Sequence, residues 1–332
     1  MFDSIDSKMQ ILLGTVAAIL VVASVAGAIL AARVTSPGAR ATVANLNART
    51  KSWWIMAGVF SLTLFSGPVF TTVLFGCLSF LALREFITIN RTDPADHASL
   101  FWAFFIITPL HYFLIGIQWY GMVSIFIPVY AFIFLPFRRV LTGETRGFLE
   151  STAKIQWALL VCVYFVSHMP LILALPLKGY AGQNASLLFF FVLTVQLSDV
   201  LQYVWGKTCG KRPIAPAISP SKTREGTIGG IATTVLIATC LAPVTPFNWW
   251  QAGLMALLIC VAGFFGGLVM SAIKRDLGTK DWGSSIGGHG GFLDRIDSLC
   301  FSAPLFYHLC GFYFGTGVNN HPPEWLMSIL GK

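Results

Sequence analysis

The sequence predicts an all-α, polytopic integral membrane protein, and three observations carry that prediction. Of 332 residues, 55% are hydrophobic and only 11% charged, with a mean hydropathy of +0.73. A soluble domain of this size could not bury so much apolar surface. Apolar runs long enough to cross a bilayer recur along the whole chain, separated by short polar loops. Finally, 19 of the 22 Lys and Arg residues fall in five loops, 33–51, 84–97, 136–154, 206–225 and 274–297, as a chain threaded through a membrane requires.

Taken in order, spans are expected near 9–32, 98–116, 155–176, 186–205, 226–244, 248–273 and 298–317. Residues 53–84 are too long for one helix and contain Gly67-Pro68, a turn signal, so two short helices are expected there. Residues 117–121, Ile-Gln-Trp-Tyr-Gly, separate 98–116 from a further span near 120–135. About ten transmembrane helices result. With that number every basic loop falls on one side, which the positive-inside rule makes the cytoplasm, and the outer connections carry only Lys178. Nine helices would place basic loops on both sides.

Residues 1–185 form the divergent part and 186–332 the part rich in polar motifs, within one structural domain. The N-terminal MFDSIDSK is net acidic before its apolar run, which predicts a retained helix rather than a cleaved leader. Trp53, Trp54, Trp119, Tyr120, Trp249 and Trp250 stand near span ends, where aromatic residues anchor the interface. Seven cysteines, mostly inside apolar runs and without CxxC spacing, are reduced packing residues. The net charge of +8 resides in loops between spans, so no nucleic acid is expected as a partner. The expected location is the bacterial cytoplasmic (inner) membrane, multi-pass, with membrane lipids as neighbours and a polar site on the cytoplasmic face.

That polar site is concentrated in Ser271–Asp297, which gathers Lys274, Arg275, Lys280 and Arg295 with Asp276, Asp281, Asp294 and Asp297 between two apolar segments. The basic side chains suit phosphate oxygens. Asp281, Asp294 and Asp297 suit a hard cation. If the last span begins near Leu293, Asp294 and Asp297 at i, i+3 share its first turn, where the helix dipole favours carboxylates. Gly287, Gly288, Gly290 and Gly291 let backbone approach a phosphate closely. For His289 three roles stay open: an acid, a phosphate donor, or a packing residue. Lys274 and Arg275 either snorkel at the end of their span or join the phosphate contacts.

A second loop carries Ser219-Pro220-Ser221-Lys222-Thr223-Arg224-Glu225-Gly226. Pro220 fixes a turn from which Ser219, Ser221, Lys222 and Thr223 could present donors at the start of the next helix. Asp199, inside an apolar span, would cost about 2.5–3.5 kcal/mol if isolated near the centre. It therefore needs a cation, a loop lysine, or hydration at the cytoplasmic end.

These residues resemble a known family. Ser271-x-x-Lys274-Arg275-x4-Lys280-Asp281 followed by Gly287-x-His289-Gly290-Gly291-x-x-Asp294-Arg295-x-Asp297-Ser298 is similar to the defining motif of the phosphatidate cytidylyltransferases, and Ser219-Pro220-x-Lys222-Thr223-x-Glu225-Gly226 to that family's second motif. The resemblance covers about residues 190–300. Upstream, the chain is similar only in being hydrophobic. Gly287 stands where most members carry proline, Gln202 replaces a small residue, and Arg224 a tryptophan.

The resemblance implies that CTP and phosphatidic acid are converted to CDP-diacylglycerol and pyrophosphate. It implies Mg²⁺, as one or two divalent ions with room for a monovalent cation, held by Asp281, Asp294, Asp297 and Asp199. Asp281, Asp294, Lys280, Arg295 and His289 would be catalytic. Ser219, Ser221, Lys222, Thr223, Arg224, Lys274, Arg275, Gly290 and Gly291 would bind substrate. A homodimer is compatible with it. The competing expectations are cytidylyl transfer to another lipid phosphate, and an ion-coupled transporter, which would spread polar residues through several spans instead of gathering them at one face.

Overall fold

The computed structural model describes residues 7–90, 92–283 and 290–317. Among them are nine long helices, which we label α1 (Ser7–Arg33), α2 (Pro37–Ile89), α3 (Pro94–Gly116), α4 (Tyr120–Val140), α5 (Phe148–Leu173), α6 (Asn184–Cys209), α7 (Arg224–Cys240), α8 (Trp249–Asp276) and α9 (Leu293–Phe314). The chain is a helical integral membrane protein. Large apolar side chains such as Val22, Val69, Ile133, Ile228 and Phe312 face outward, as lipid contact requires.

Seven helices among the described residues are long and apolar enough to cross a membrane: Leu12–Arg33, Phe65–Ile89, α3, α4, α5, α6 and α8. The sequence predicts about ten, and the difference has physical causes. α7 has only 17 residues. α9 opens with Asp294, Arg295 and Asp297 and carries Ser, Tyr and His along its length. The first half of α2 is rich in Arg, Asn and Thr.

The break expected at Gly67-Pro68 is present. Gly67 sits at φ 88° and ψ 176°, a conformation open to glycine, and Pro68 has no N–H to continue the ladder. The Thr71 hydroxyl lies 3.1 and 2.9 Å from the carbonyls of Thr63 and Gly67, tying together the two sides of the break. Two expectations are corrected. Residues 37–51, read as loop, are helix, started by Pro37 in the first turn. The loop after α6 is not wholly irregular either, because β1 (Pro213–Ala215) and β2 (Ser219–Thr223) pair antiparallel into a short hairpin.

The core that positions the polar residues is built from α5, α6, α8 and α9, with Phe191 and Phe306 stacked at 5.1 Å, and α2 packs on its flank. Glycines set the closeness. A β-carbon at Gly230 would come within 2.4 Å of the Gln202 amide nitrogen, and one at Gly266 within 2.5 Å of Phe301, so α7 on α6 and α8 on α9 approach at distances other residues would forbid.

Candidate active site

α8 ends where Gly278, at φ 69°, takes the left-handed turn that lets Gly278 and Thr279 donate back to the carbonyls of Arg275 and Lys274. The chain then runs back along the start of α9. Asp294 holds it there. Its Oδ1 receives the Lys274 ammonium at 2.6 Å, and its Oδ2 accepts the backbone N–H of Trp282 at 2.8 Å and of Gly291 at 2.9 Å. Both members of that ion pair are about nine-tenths buried. Gly290 lies at φ 78°, and a β-carbon there would meet Asp294 Oδ2 at 2.8 Å and Asp281 Cβ at 3.2 Å. Asp281 is thus brought against Asp294, itself exposed, with glycine required between them.

One turn into α9, Ser298 joins two carboxylates. Its Oγ lies 2.8 Å from Asp199 Oδ2 of α6 and 3.3 Å from Asp297 Oδ1, which also accepts the Ser298 backbone N–H at 2.7 Å. A hydroxyl has one hydrogen, so it satisfies chiefly the nearer carboxylate. Further compensation comes from Lys222, whose ammonium passes over the Phe264 ring at 4.9 Å and would touch a β-carbon at Gly267, a point also 3.7 Å from Ser298 Oγ. Asp199 is therefore not isolated in its span: it faces a hydroxyl, a second carboxylate and the vicinity of a lysine.

The hairpin supplies that lysine. Thr223 Oγ1 accepts the Gly226 N–H at 3.1 Å and caps α7, while the Glu225 carboxylate folds back to accept the N–H groups of Lys211 and Arg212 at 3.0 and 3.1 Å. Those N–H groups, that of Lys211 foremost, hold the Glu225 carboxyl well down, to about 2. Arg275 ties the hairpin to α8, donating from Nε to the Ile218 carbonyl at 3.1 Å and from its guanidinium to Thr279 O at 2.9 Å.

The expected site residues therefore fall into groups. Asp281, Asp294, Gly290, Gly291 and Lys274 are brought together at the start of α9, and Asp199, Asp297 and Lys222 meet one turn deeper. Thr223, Lys274 and Arg275 are engaged within the protein, which accounts for them without a ligand. Ser219 lies in the strand paired with Ala215, Ser221, Arg224 and Lys280 are exposed, and Arg295 is half-buried. His289, with Gly287 and Gly288, lies outside the described residues. Among the described residues no three carboxylate, His or Cys side chains form a preassembled metal cage.

Sequence reasoning missed Glu85, near the C-terminal end of α2. Its Oε1 accepts the Phe292 N–H at 2.9 Å and its Oε2 the Leu293 N–H at 2.8 Å, at the start of α9. The next residue, Phe86, stacks on buried Trp282 at 4.9 Å. The only local signal was faint: a carboxylate beside Arg84 where an apolar run meets a basic loop. A cavity of about 580 Å³ lined by Gly67, Leu173, Asn184 and Thr316 lies elsewhere, beyond the far end of α9. At 1.5 Å per residue that end is roughly 30 Å from Asp294, so the cavity is no part of the polar site.

A family model described as the cytidylyltransferase family matches residues 47–313, well beyond the part the motifs alone indicated. Among relatives, YnbB, an uncharacterised protein of Escherichia coli, is 41% identical over 262 residues, covering 78% of this chain and 85% of its own. A phosphatidate cytidylyltransferase of Aquifex aeolicus is 35% identical over 164 residues, 49% of this chain and 58% of that one. One of Bacillus subtilis is 39% identical over 128 residues, 38% of this chain and 48% of that one. The chain thus spans about half the length of the phosphatidate cytidylyltransferases it matches.

Proposed function

The chain belongs to the cytidylyltransferase family, whose model spans most of it, and from that premise we propose that it transfers a cytidylyl group from CTP to phosphatidic acid, giving CDP-diacylglycerol and pyrophosphate. The observation that carries this reading is the convergence on Ser298 of Asp199 and Asp297, with Lys222 reaching in from the hairpin. Excess carboxylate at a helix junction within an apolar protein is costly. It is explained if a cation and a polyanion are bound there in turn.

The donor set fits Mg²⁺. Two hard carboxylates face one hydroxyl, and magnesium ordinarily takes one or two protein carboxylates and completes its shell with water and substrate phosphate, needing no preassembled cage. Asp199 and Asp297 would hold it, with Asp281 exposed nearby at the start of α9. When bound, the ion offsets phosphate charge and stabilises the charge that develops in transfer.

The protein's own residues do the rest. A lipid phosphate oxygen, already ionised, attacks the α-phosphorus of CTP. The new P–O bond forms as the α–β bridging bond breaks, and its electron pair leaves with pyrophosphate. No strong base is needed, so the work is alignment and charge neutralisation. Lys222, Lys280, Arg224 and Arg295 are suited to neutralise the triphosphate and the leaving pyrophosphate. Asp294, held by Lys274, keeps the glycine-rich turn in place. The site would face the cytoplasm, where the basic loops gather, with about ten helices counting the short and charged ones, so that CTP arrives from water while the lipid stays in its leaflet.

Purified protein given radiolabelled CTP, phosphatidic acid and Mg²⁺ should form a CDP-lipid with stoichiometric pyrophosphate. Absence of product with every divalent cation and every lipid phosphate tried would reject the assignment. Product only from a different lipid phosphate would keep the reaction and change the acceptor.

A further inference from the structure

We propose that Glu85, on a helix of the half without recognised motifs, is a positioning residue for this reaction: it registers the turn carrying Asp281 against the start of α9. The inference rests on the cytidylyltransferase reading for its kinetic part only. A helix start leaves backbone N–H groups without partners. Here Phe292 and Leu293 give theirs to the two oxygens of Glu85, at 2.9 and 2.8 Å, across more than two hundred residues of sequence. The carboxylate is buried, and burying a charge is favourable only where its partners are fixed.

Its neighbours on the opposite side are the two ends of the site turn. A β-carbon at Gly291 would come within 2.5 Å of Glu85 Oε2 and 2.8 Å of the Gly283 nitrogen, and one at Gly283 within 3.2 Å of Glu85 Oε1. Glu85 therefore packs against the point where residue 283 of the incoming segment and residue 291 of the outgoing one meet. Phe86 reinforces this by stacking on the ring of Trp282, whose backbone N–H in turn donates to Asp294. Asp281 adjoins Trp282 directly, so a shift of Glu85 is passed to Asp281 and Asp294 through two backbone bonds and one ring pair. Displacements of about 1 Å at a reacting constellation can cost on the order of 10²-fold in rate. Glu85 touches no substrate itself, and its effect runs through that registration.

Two measurements on the full-length protein in detergent test this. In Glu85→Ala, kcat per folded molecule should fall about 30- to 100-fold, on the scale of such misplacements. The KM for CTP should change much less than kcat, because Lys222 and Arg224 of the hairpin still meet the triphosphate and of its four cations only those beside the turn are displaced. Glu85→Gln retains one acceptor oxygen and should recover part of the loss. If Glu85→Ala fails to fold, Gly283→Ala, which only nudges Oε1, should lower kcat severalfold in the same pattern. The second readout needs no activity: tryptic cleavage after exposed Lys280 should quicken about tenfold in these variants, with cleavage after Arg224 unchanged. Folded variants with wild-type kcat, or with wild-type cleavage at Lys280, overturn the proposal. Were the native enzyme inactive on every lipid phosphate while Lys280 cleavage still quickened, the functional reading would fall and the registration would stand.

Discussion

Two buried ion pairs lie at helix ends beside basic loops that the charge pattern assigns to the same face, and they differ in one respect. In the first half, Arg139 meets Asp96 at 3.1 Å with both side chains almost wholly buried. The Ser151 hydroxyl donates to the same carboxylate, and Arg139 also donates to the Arg146 carbonyl at 3.2 Å. Charge there is balanced one to one and buried. In the second half, Lys274 meets Asp294, but Asp281 adjoins them, and Asp199 and Asp297 crowd one hydroxyl a turn away. The first arrangement is balanced in charge, although Arg139 Nε and the Ser99 and Thr152 hydroxyls beside it are buried without hydrogen-bond partners. The second carries carboxylate beyond what its lysines answer, and a surplus of buried charge is what separates a site from a brace.

The largest effect that could break this contrast is at Asp297. Asp297→Asn keeps the side-chain oxygen that accepts the Ser298 N–H and removes the charge, so turnover should fall about 10²- to 10³-fold, as when a group stabilising transferred charge is lost, with thermal stability unchanged or improved. Asp96→Asn should do the reverse, leaving Arg139 buried and uncompensated at a cost of about 3–5 kcal/mol while specific activity of the folded fraction stays near wild type. Thermal unfolding in detergent beside initial rates separates the two. A fully active Asp297→Asn would remove that carboxylate from the chemistry.

Asp294→Asn sharpens the comparison, because Asp294 combines both kinds of role. It balances Lys274 and holds two backbone N–H groups, so both stability and turnover should drop, the former by about 3 kcal/mol. Loss of rate with no loss of stability would mean that the Lys274 pair contributes little to folding.

How much of this could be read from the sequence follows from how far each contact reaches along the chain. The helical class, the break at Gly67-Pro68 and the start of α9 at Leu293 rest on local composition, and all three are found. The aspartates at 294 and 297 were legible for the same reason. Glu85 was not, because its partners lie 207 and 208 residues away and nothing local distinguishes it from a residue at the edge of a basic loop. Lys222 was assigned to phosphate from its loop position. Its approach to Gly267 depends on the hairpin, which a pattern of Ser, Pro and Thr did not announce.

That approach yields a smaller prediction. With Lys222 between the hairpin and the paired carboxylates, Lys222→Ala removes a cation from CTP and from Asp199 and Asp297 alike. The KM for CTP should rise about tenfold, one charge-assisted contact's worth, and the Mg²⁺ concentration for half-maximal rate should fall, because the carboxylates lose their internal competitor. An unchanged Mg²⁺ dependence would confine Lys222 to the nucleotide.

The smallest effect concerns Glu225, whose carboxylate clamps the hairpin from outside. Its folded value is depressed from an ordinary 4.5 to about 2, so the clamp's contribution is complete above the unfolded value and is lost as pH falls through the range between the two. Across the neutral range Glu225 stays ionised and contributes no slope, so Glu225→Gln should leave the shape of the pH–rate profile unaltered there. At low pH the variant and the native chain should differ. Pepsin cleavage within residues 210–223 should rise in the native protein as pH drops from about 4 to 2, whereas in Glu225→Gln it should already be raised at pH 4 and vary little. Equal cleavage of the two at pH 4 would show that Arg224, donating from its backbone to the Arg212 carbonyl at 2.8 Å, closes the hairpin unaided, and that Lys222 is aimed by the strand pairing alone.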